Sequence, residues 1–581
     1  MSKKQWKKIV EYGFFPLFLV VYPFRHINQG VDLTDTGYSL YNYEMFQEVE
    51  ASWWVIATYL SNWIGDLLQQ TPMGDTLLGM NVCSALLISS TALIAYFLLK
   101  EQIPAHLVWL GELLAISLCW CPTVILYNYV TYFLVTLGIF FLYHGLTRGH
   151  NWCYLVSGCC LGLNVFVRFP NLVESILILC VWYYGCLTRK TTKKIIQDTG
   201  WCVLGYILGI MLGVLPILLR FGMDDIVSTI QELSQLGSAT GGSDYSIVTM
   251  ALIPFVIYLQ NLKWVVYMAI PTCFGVVYFR FWKRKEQFLK YCWIQKALYM
   301  IGVLVLFRWF YGQGLFNIQY QTYDSMLRLG IIFIMLSFTF LSWCLVSKKV
   351  TKEQKLGASM GLLLLIITPF GSNNNIYPIL NNLFLIAPIM ICMCYLLIRY
   401  STISFAVQGM LAGFIFLFFI QSLLFGHFFV FRGSSEYLLR DTRITTIPRL
   451  QGMYTDEIRA NSIEELYEFL KEQERLDAEL VTLGNLPALH YYFGMSAYLT
   501  TAWIDLDSYS NIMFLQDMDM RRRNEETDDF VLIVDISMVD MIEYGQIEET
   551  SQAFKYREIV ALIEEKEYQE QMKNELFAVY Y

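Results

Sequence analysis

Stretches of about 20 apolar residues, each long enough to cross the roughly 30 Å hydrocarbon layer of a bilayer, recur along this chain and leave room for few architectures. They fall near residues 9–24, 77–99, 104–121, 127–146, 152–169, 171–187, 201–220, 262–279, 292–309, 328–346, 356–370, 382–398 and 404–424, thirteen in all. Charged residues make up 15% of the chain, against about 25% in soluble domains. The expected fold class is a polytopic α-helical membrane protein with a C-terminal α/β domain outside the membrane. The boundary is expected near residue 425: 1–425 hold the spans and the first outer loop (25–75), and 426–581 form the outer domain.

Charge divides the chain at the same place. From Gly426 onward there are 14 Lys and Arg against 30 Asp and Glu, whereas the preceding region has 27 against 19. An acidic domain of this kind does not suit anionic polymers, so no nucleic-acid partner is expected. An odd number of spans puts the N-terminus and the acidic domain on opposite sides. The basic residues agree, because 21 of the 27 in the membrane region fall on the side of Lys3, Lys4, Lys7 and Lys8, which the positive-inside rule makes cytoplasmic. The expected location is therefore the plasma membrane, with the N-terminus cytoplasmic and the C-terminal domain extracytoplasmic. Lys3 to Phe24 has the basic start and apolar core of a signal peptide, but Glu11 interrupts the core and no small-x-small cleavage site follows, so it is expected to stay as the first span. All 14 cysteines lie between Cys83 and Cys394, mostly in apolar runs, which argues for packing residues and against a disulfide framework.

Six basic residues fall on the outer side: Arg25, Arg168, Arg220, Lys263, Arg308 and Arg328. Five are arginine, whose planar fork matches phosphate oxygens in a way lysine cannot. Arg168, Arg220, Arg308 and Arg328 are the candidate contacts for a lipid phosphate; each could also simply snorkel to ordinary headgroups. In the first outer loop, Trp53, Ile56, Ala57, Leu60, Trp63, Ile64, Leu67 and Leu68 repeat at helical spacing, with Ser61, Asn62, Asp66 and Gln69 on the other side of the wheel. That pattern predicts an amphipathic helix lying on the membrane surface, or one turned toward the soluble domain. Gly237–Ser246 reads as a linker.

The same loop contains Gly30-Val31-Asp32-Leu33-Thr34-Asp35-Thr36-Gly37-Tyr38-Ser39-Leu40. A carboxylate just outside the first span can take a proton from an acceptor hydroxyl, and an arginine nearby can stabilise a departing phosphate. Asp35 and Asp32 are both candidates for that base; Asp35 also fits as the cap of a helix starting near Gly37. In the C-terminal region, Ser462 to Gln473 predicts a helix capped by Ser462 with Glu465 three residues on. Residues 480–483 and 530–534 predict buried strands, and Tyr556 to Tyr568 a further helix.

Asp35-Thr36-Gly37-Tyr38-Ser39-Leu40 resembles the acidic loop motif of the GT-C glycosyltransferases, which include the protein O-mannosyltransferases and the aminoarabinose transferases acting on lipid A. Leu126-Tyr127-Asn128-Tyr129 and Gly162-Leu163-Asn164-Val165-Phe166-Val167-Arg168-Phe169-Pro170-Asn171 resemble two further family segments, and thirteen spans followed by an outer α/β domain is the layout of the aminoarabinose transferases. The resemblance implies an inverting transferase that moves a sugar from a polyprenyl-phosphate donor to a glycan, lipid or protein acceptor at the outer face. It makes Asp35 the base and Arg168 a phosphate contact. Many relatives have two adjacent acids, whereas here Thr36 follows Asp35, so the choice between Asp35 and Asp32 stays open. The histidines are scattered, so no cofactor is expected to be required, and a divalent metal finds little support. Tyr38, Tyr127, Asn128, Asn373 and Asn374 are candidate sugar contacts, since rings stack on sugar faces and amides match hydroxyls. The competing readings are a lipid or polysaccharide transporter or flippase, for which Glu112 inside a span would be the essential acid, and a membrane scaffold whose outer domain binds a partner.

Overall fold

The computed structural model describes residues 2–581 except 50–52, 122, 225, 228–246, 283–290, 371–373, 375, 401–403, 433–439, 525–528, 545–546, 548–549 and 551. The 237–246 linker expectation and Asn373 lie outside the described residues.

Each of the thirteen apolar stretches coincides with helix. Eight helices are long and apolar enough to cross a membrane, and Ala105–Leu118 and Ile386–Ile398 are shorter apolar ones. The helix expected at 262–279 is much longer, Ile247–Trp282, and carries Pro254 and Pro271 inside it. The stretch at 171–187 begins as the 3-10 turns Phe169–Ile178 before becoming α-helix at Leu179–Thr188. All 14 cysteines are free thiols.

Hydrogen bonds sort the helix ends onto two faces. On one face, Arg25 Nε donates to Gly426 O, Asn81 Nδ2 to Ile27 O, and Tyr323 Oη to both Leu118 O and Asn381 Oδ1. On the other, Tyr96 Oη donates to Glu11 O and Gln354 Nε2 to Gln102 O, Arg148 pairs with Glu101, and Lys190 and Lys194 both pair with the fully buried Asp198. The C-terminal domain sits on the first of these faces, called here the domain face.

That domain contains a small ribbon, β1 (Thr442–Arg443) with β2 (Tyr454–Thr455), and a four-stranded sheet. The sheet's strands are β3 (Glu479–Leu483), β4 (Phe530–Asp535), β5 (Glu570–Lys573) and β6 (Phe577–Tyr580), in the order β3-β4-β6-β5. β3 and β4 run parallel and the other pairs antiparallel. β3 and β4 are the two expected strands; β4 is buried along almost its whole length, which is why its sequence reads as an unbroken apolar run. The helix expected from Ser462 instead starts at Glu457, where Asp456 Oδ1 accepts from Arg459 N–H; Ser462 is an interior, buried residue. An aspartate six residues ahead of Ser462 captured the cap first. The last expected helix occupies Ala553–Glu565.

The loop that follows the first span folds into the domain rather than hanging from the membrane. Val31, Leu40, Tyr41 and Tyr43 belong to one apolar cluster with Ile444, Leu480, Leu489 and Val531 of the domain and with Val124 and Val130 of the spans. Main-chain bonds extend the join: Gly30 N–H donates to Tyr454 O, Tyr454 N–H to Asn28 O, and Ala488 N–H to Leu33 O. At Gly30, φ is +86° and an added Cβ would strike Val430, so the chain needs glycine there twice over.

The expected amphipathic helix is two helices, Trp53–Ala57 and Tyr59–Gln69, broken at Thr58. Its polar side faces the protein. Ser61, Asn62 and Asp66 are buried, Asp66 accepts from the amides of Gln47 and Gln70, and Gln69 donates to Leu40 O. Trp63 and Leu67 point away, 40% and 46% exposed, as a helix floating on hydrocarbon requires.

Candidate active site

The loop helix (Asp35–Glu44) begins at the first candidate acid and lies against the domain. Asp32 is the residue that caps it. Its Oδ1 accepts from Thr34 N–H (2.8 Å) and from the Thr34 hydroxyl (2.7 Å), and its Oδ2 accepts from Thr36 N–H (2.8 Å). The Tyr492 hydroxyl holds its carbonyl at 2.6 Å, and the side chain is buried. The alternative reading made Asp35 the cap of a helix starting near Gly37; the helix starts two residues earlier, so the acid three residues before it supplies the cap. With both oxygens engaged, Asp32 has little left to offer a substrate.

Asp35 is free of that duty. Its side chain remains 31% exposed, Oδ2 lies 3.8 Å from Arg432 Nε, and the Thr34 hydroxyl stands 3.3 Å away. Burial, reinforced by the Asp32 carboxylate, lifts its pKa to about 6, against the pull of Arg432 and Thr34. A carboxylate so placed is ionised at neutral pH yet basic enough to receive a proton.

Arg432 comes from the stretch just after the last span, 397 positions away in the chain, and nothing in its local sequence announces the role. Its carbonyl and that of Val31 both accept from Arg459 Nη1, which ties the two strands of the site together. Below it, Phe431 leads into an aromatic group in which the Trp120 ring lies 5.1 Å from Phe431 and 4.8 Å from Tyr323. His26 Nε2 lies 3.2 Å from His427 Nδ1; burial, His427, Arg25 and Arg440 push His26 down to about 4, so it is neutral near pH 7.

The arginines expected on the outer side go to different places. Arg168 borders a small hollow that it lines with the polar Thr131, Tyr132, Asn171, Glu174 and Asn382 and with apolar residues such as Leu364 and Ile367, and its buried Nε has no hydrogen-bond partner. The hollow is stiffened by Asn164 Nδ2 donating to Glu174 (2.7 Å) and Asn171 Nδ2 donating to Thr131 (2.7 Å). Arg220 Nη2 instead donates to the loop carbonyls of Phe46 and Val49. The loop helix rises about 1.5 Å per residue, so Phe46 is on the order of 15 Å from Asp35. Arg220 therefore grips the far end of the loop helix from Asp35. Arg328 Nη1 donates to Gly314 O (2.7 Å), and Arg308 lies exposed with its guanidinium 5.3 Å from the Tyr311 ring centre.

Of the sugar-contact candidates, Tyr38 leans into the domain, with its hydroxyl 3.4 Å from Thr501 Oγ1 and its ring edge-on to Trp503. Tyr127 and Asn128 are half-buried where the loop meets the spans, one turn from the Tyr43 hydroxyl that donates to Val124 O. Asn374 is exposed. Among the described residues no three His, Cys, Asp or Glu side chains gather to hold a metal ion.

No protein-family model matches the sequence, and no curated protein matches it. Solved structures do. The oligosaccharyltransferase AglB of Archaeoglobus fulgidus, in complex with an inhibitory peptide and a dolichol-phosphate, aligns at 10% identity and TM-score 0.48 over 93% of this chain and 71% of that one. ArnT of Cupriavidus metallidurans, bound to undecaprenyl phosphate, aligns at 11% and 0.40 over 100% and 98%. Arabinosyltransferase EmbB of Mycobacterium smegmatis aligns at 12% and 0.33 over 73% and 42%. At such values the likeness assigns no role to any residue.

Proposed function

We propose that this chain is a membrane glycosyltransferase that moves a sugar from a polyprenyl-phosphate donor to an acceptor hydroxyl at the domain face, with inversion. The observation that carries the reading is Asp35: a partly exposed carboxylate at the rim of the spans, raised to about 6 and paired with one guanidinium. The acceptor O–H gives its proton to Asp35 as its oxygen bonds to the sugar's anomeric carbon, and the bond from that carbon to the phosphate oxygen breaks. Arg432 and Arg168 are the guanidinium groups assigned to the departing polyprenyl phosphate, with Arg308 and Arg328 at helix ends further along. Tyr38, Tyr127, Asn128 and the loop around Asn373 and Asn374 border the sugar. The face bearing Lys190, Lys194, Lys348 and Lys349 is cytoplasmic, which puts the N-terminus inside and the domain outside.

The direct test is sugar transfer from a panel of polyprenyl-phosphate sugars in reconstituted vesicles; no turnover with any of them would overturn the reading. The rate should fall about tenfold per pH unit below about 6, as Asp35 takes up its proton. Arg432 holds that pKa down, so in Arg432→Ala the acid limb should move to higher pH; an unmoved limb would separate Arg432 from the base. In Arg168→Ala, saturation by donor should weaken more than folding suffers. Activity is expected to survive EDTA, because Asp32 is spent on its cap and Asp35 faces a cation; loss on chelation with rescue by a divalent ion would reverse this.

A lipid transporter is the second reading, carried by Glu112. This residue sits in the helix Ala105–Leu118, fully buried, with neither carboxyl oxygen hydrogen-bonded. An acid in that position is rare in a membrane without function. Transport lost in Glu112→Gln and retained in Asp35→Asn would favour it.

A further inference from the structure

Beneath the surface helix Tyr59–Gln69 lies an apolar cavity of about 700 Å³. Its roof is the helix's membrane-facing side, including Leu60, Trp63 and Leu68, and its walls come from four spans, with Leu134 and Pro216 among the lining residues. Positions 212, 216 and 220 follow one face of the helix Thr192–Phe221 at four-residue spacing, so the face that lines the cavity ends outward at Arg220. Tyr59, also in the lining, hydrogen-bonds with that guanidinium. Among the described residues no carboxylate pairs with Arg220, and its buried Nη1 has no hydrogen-bond partner.

An apolar slot at hydrocarbon depth, ending outward at a guanidinium that meets carbonyls and rings but, among the described residues, no carboxylate, has the chemistry of a chain-and-phosphate ligand. We infer that a phospholipid of the outer leaflet resides here, its acyl chain under the surface helix and its phosphate at Arg220. The donor is disfavoured by distance. Its phosphate must lie within one bond of the carbon attacked beside Asp35, whereas Arg220 holds the far end of the loop helix on the order of 15 Å away. The bound lipid therefore braces the loop: Arg220 also grips Phe46 O and Val49 O, and the surface helix locks to the loop helix through Gln69 and through Gly65 against the Tyr43 ring.

The test counts lipid and needs no turnover, so it reads the occupancy of the slot whatever becomes of the transferase reading; only the exclusion of the donor rests on that reading. Full-length protein is purified in detergent, and its co-purifying lipids are identified and quantified by mass spectrometry. The variants are Leu134→Trp, which fills the slot, Arg220→Gln, and Leu304→Trp on a side chain facing bulk lipid. Wild type and Leu304→Trp should retain a stoichiometric phospholipid. Leu134→Trp should lose it by roughly tenfold or more, and Arg220→Gln should lose the preference for anionic headgroups when phosphatidylglycerol competes with phosphatidylcholine. Equal retention in all four proteins would overturn the site. Retention of a polyprenyl phosphate or a glycolipid instead would overturn the phospholipid assignment and give the slot to a substrate. A melting curve on Leu134→Trp guards against misfolding; if that variant unfolds, loss of headgroup preference in Arg220→Gln decides.

Discussion

Asp35→Asn should abolish sugar transfer, with a loss of roughly 10²–10⁴-fold, while the protein melts at an unchanged temperature. The substitution removes the proton acceptor and keeps the shape, and the Asn amide oxygen can still accept from the residue's own N–H as the carboxylate does. Asp32→Ala should behave in the opposite way. It removes the bonds to Thr34 N–H and Thr36 N–H, so stability should fall by about 1 kcal/mol, the usual worth of an N-cap, with transfer impaired less than in Asp35→Asn. Measuring both variants for turnover and melting separates the base from the cap. Transfer that persists in Asp35→Asn and vanishes when Asp32 is changed would exchange the two roles.

The second large effect is expected at Gly37. The loop helix packs so closely on the domain helix Ala488–Phe493 that a Cβ at position 37 would overlap both the side chain and the backbone of Ala488. Overpacking of this kind typically destabilises by 1–3 kcal/mol. Here it acts at the joint that holds Asp35 against the domain, so Gly37→Ala should lower the melting temperature, open the loop to protease and reduce transfer together. Gly200→Ala is the matched control, since nothing lies within 4 Å of a Cβ there. Wild-type protease resistance in Gly37→Ala would mean that the loop and the domain do not depend on each other.

Much of the candidate site could be read in the chain because its local part is local. Asp32, Thr34, Asp35 and Tyr38 fall within seven residues, and the turn they build needs only neighbours. Which acid caps and which stays free could not be read, since a shift of two residues in the helix start exchanges the roles. The partners were less legible still. Arg432, Arg459, Tyr492 and Trp503 reach the loop from beyond the last span, and each is an ordinary residue in its own surroundings. The arginines expected on the outer side were found by their charge and their place in the chain. That one braces a loop and another borders a small hollow depends on what their guanidiniums meet in space.

By itself the sequence determined the polytopic helical class, the helices at the apolar stretches and two strands of the C-terminal sheet, β3 and β4. These follow from the cost of placing charge and open backbone in hydrocarbon, which every short segment pays alone. Only the tertiary structure decided that the first loop is part of the domain, that Asp32 closes the helix and leaves Asp35 exposed beside Arg432, and that a slot opens under the surface helix. Those outcomes depend on pairs of groups up to several hundred residues apart, and the distance between such groups is set by packing, which no local pattern encodes.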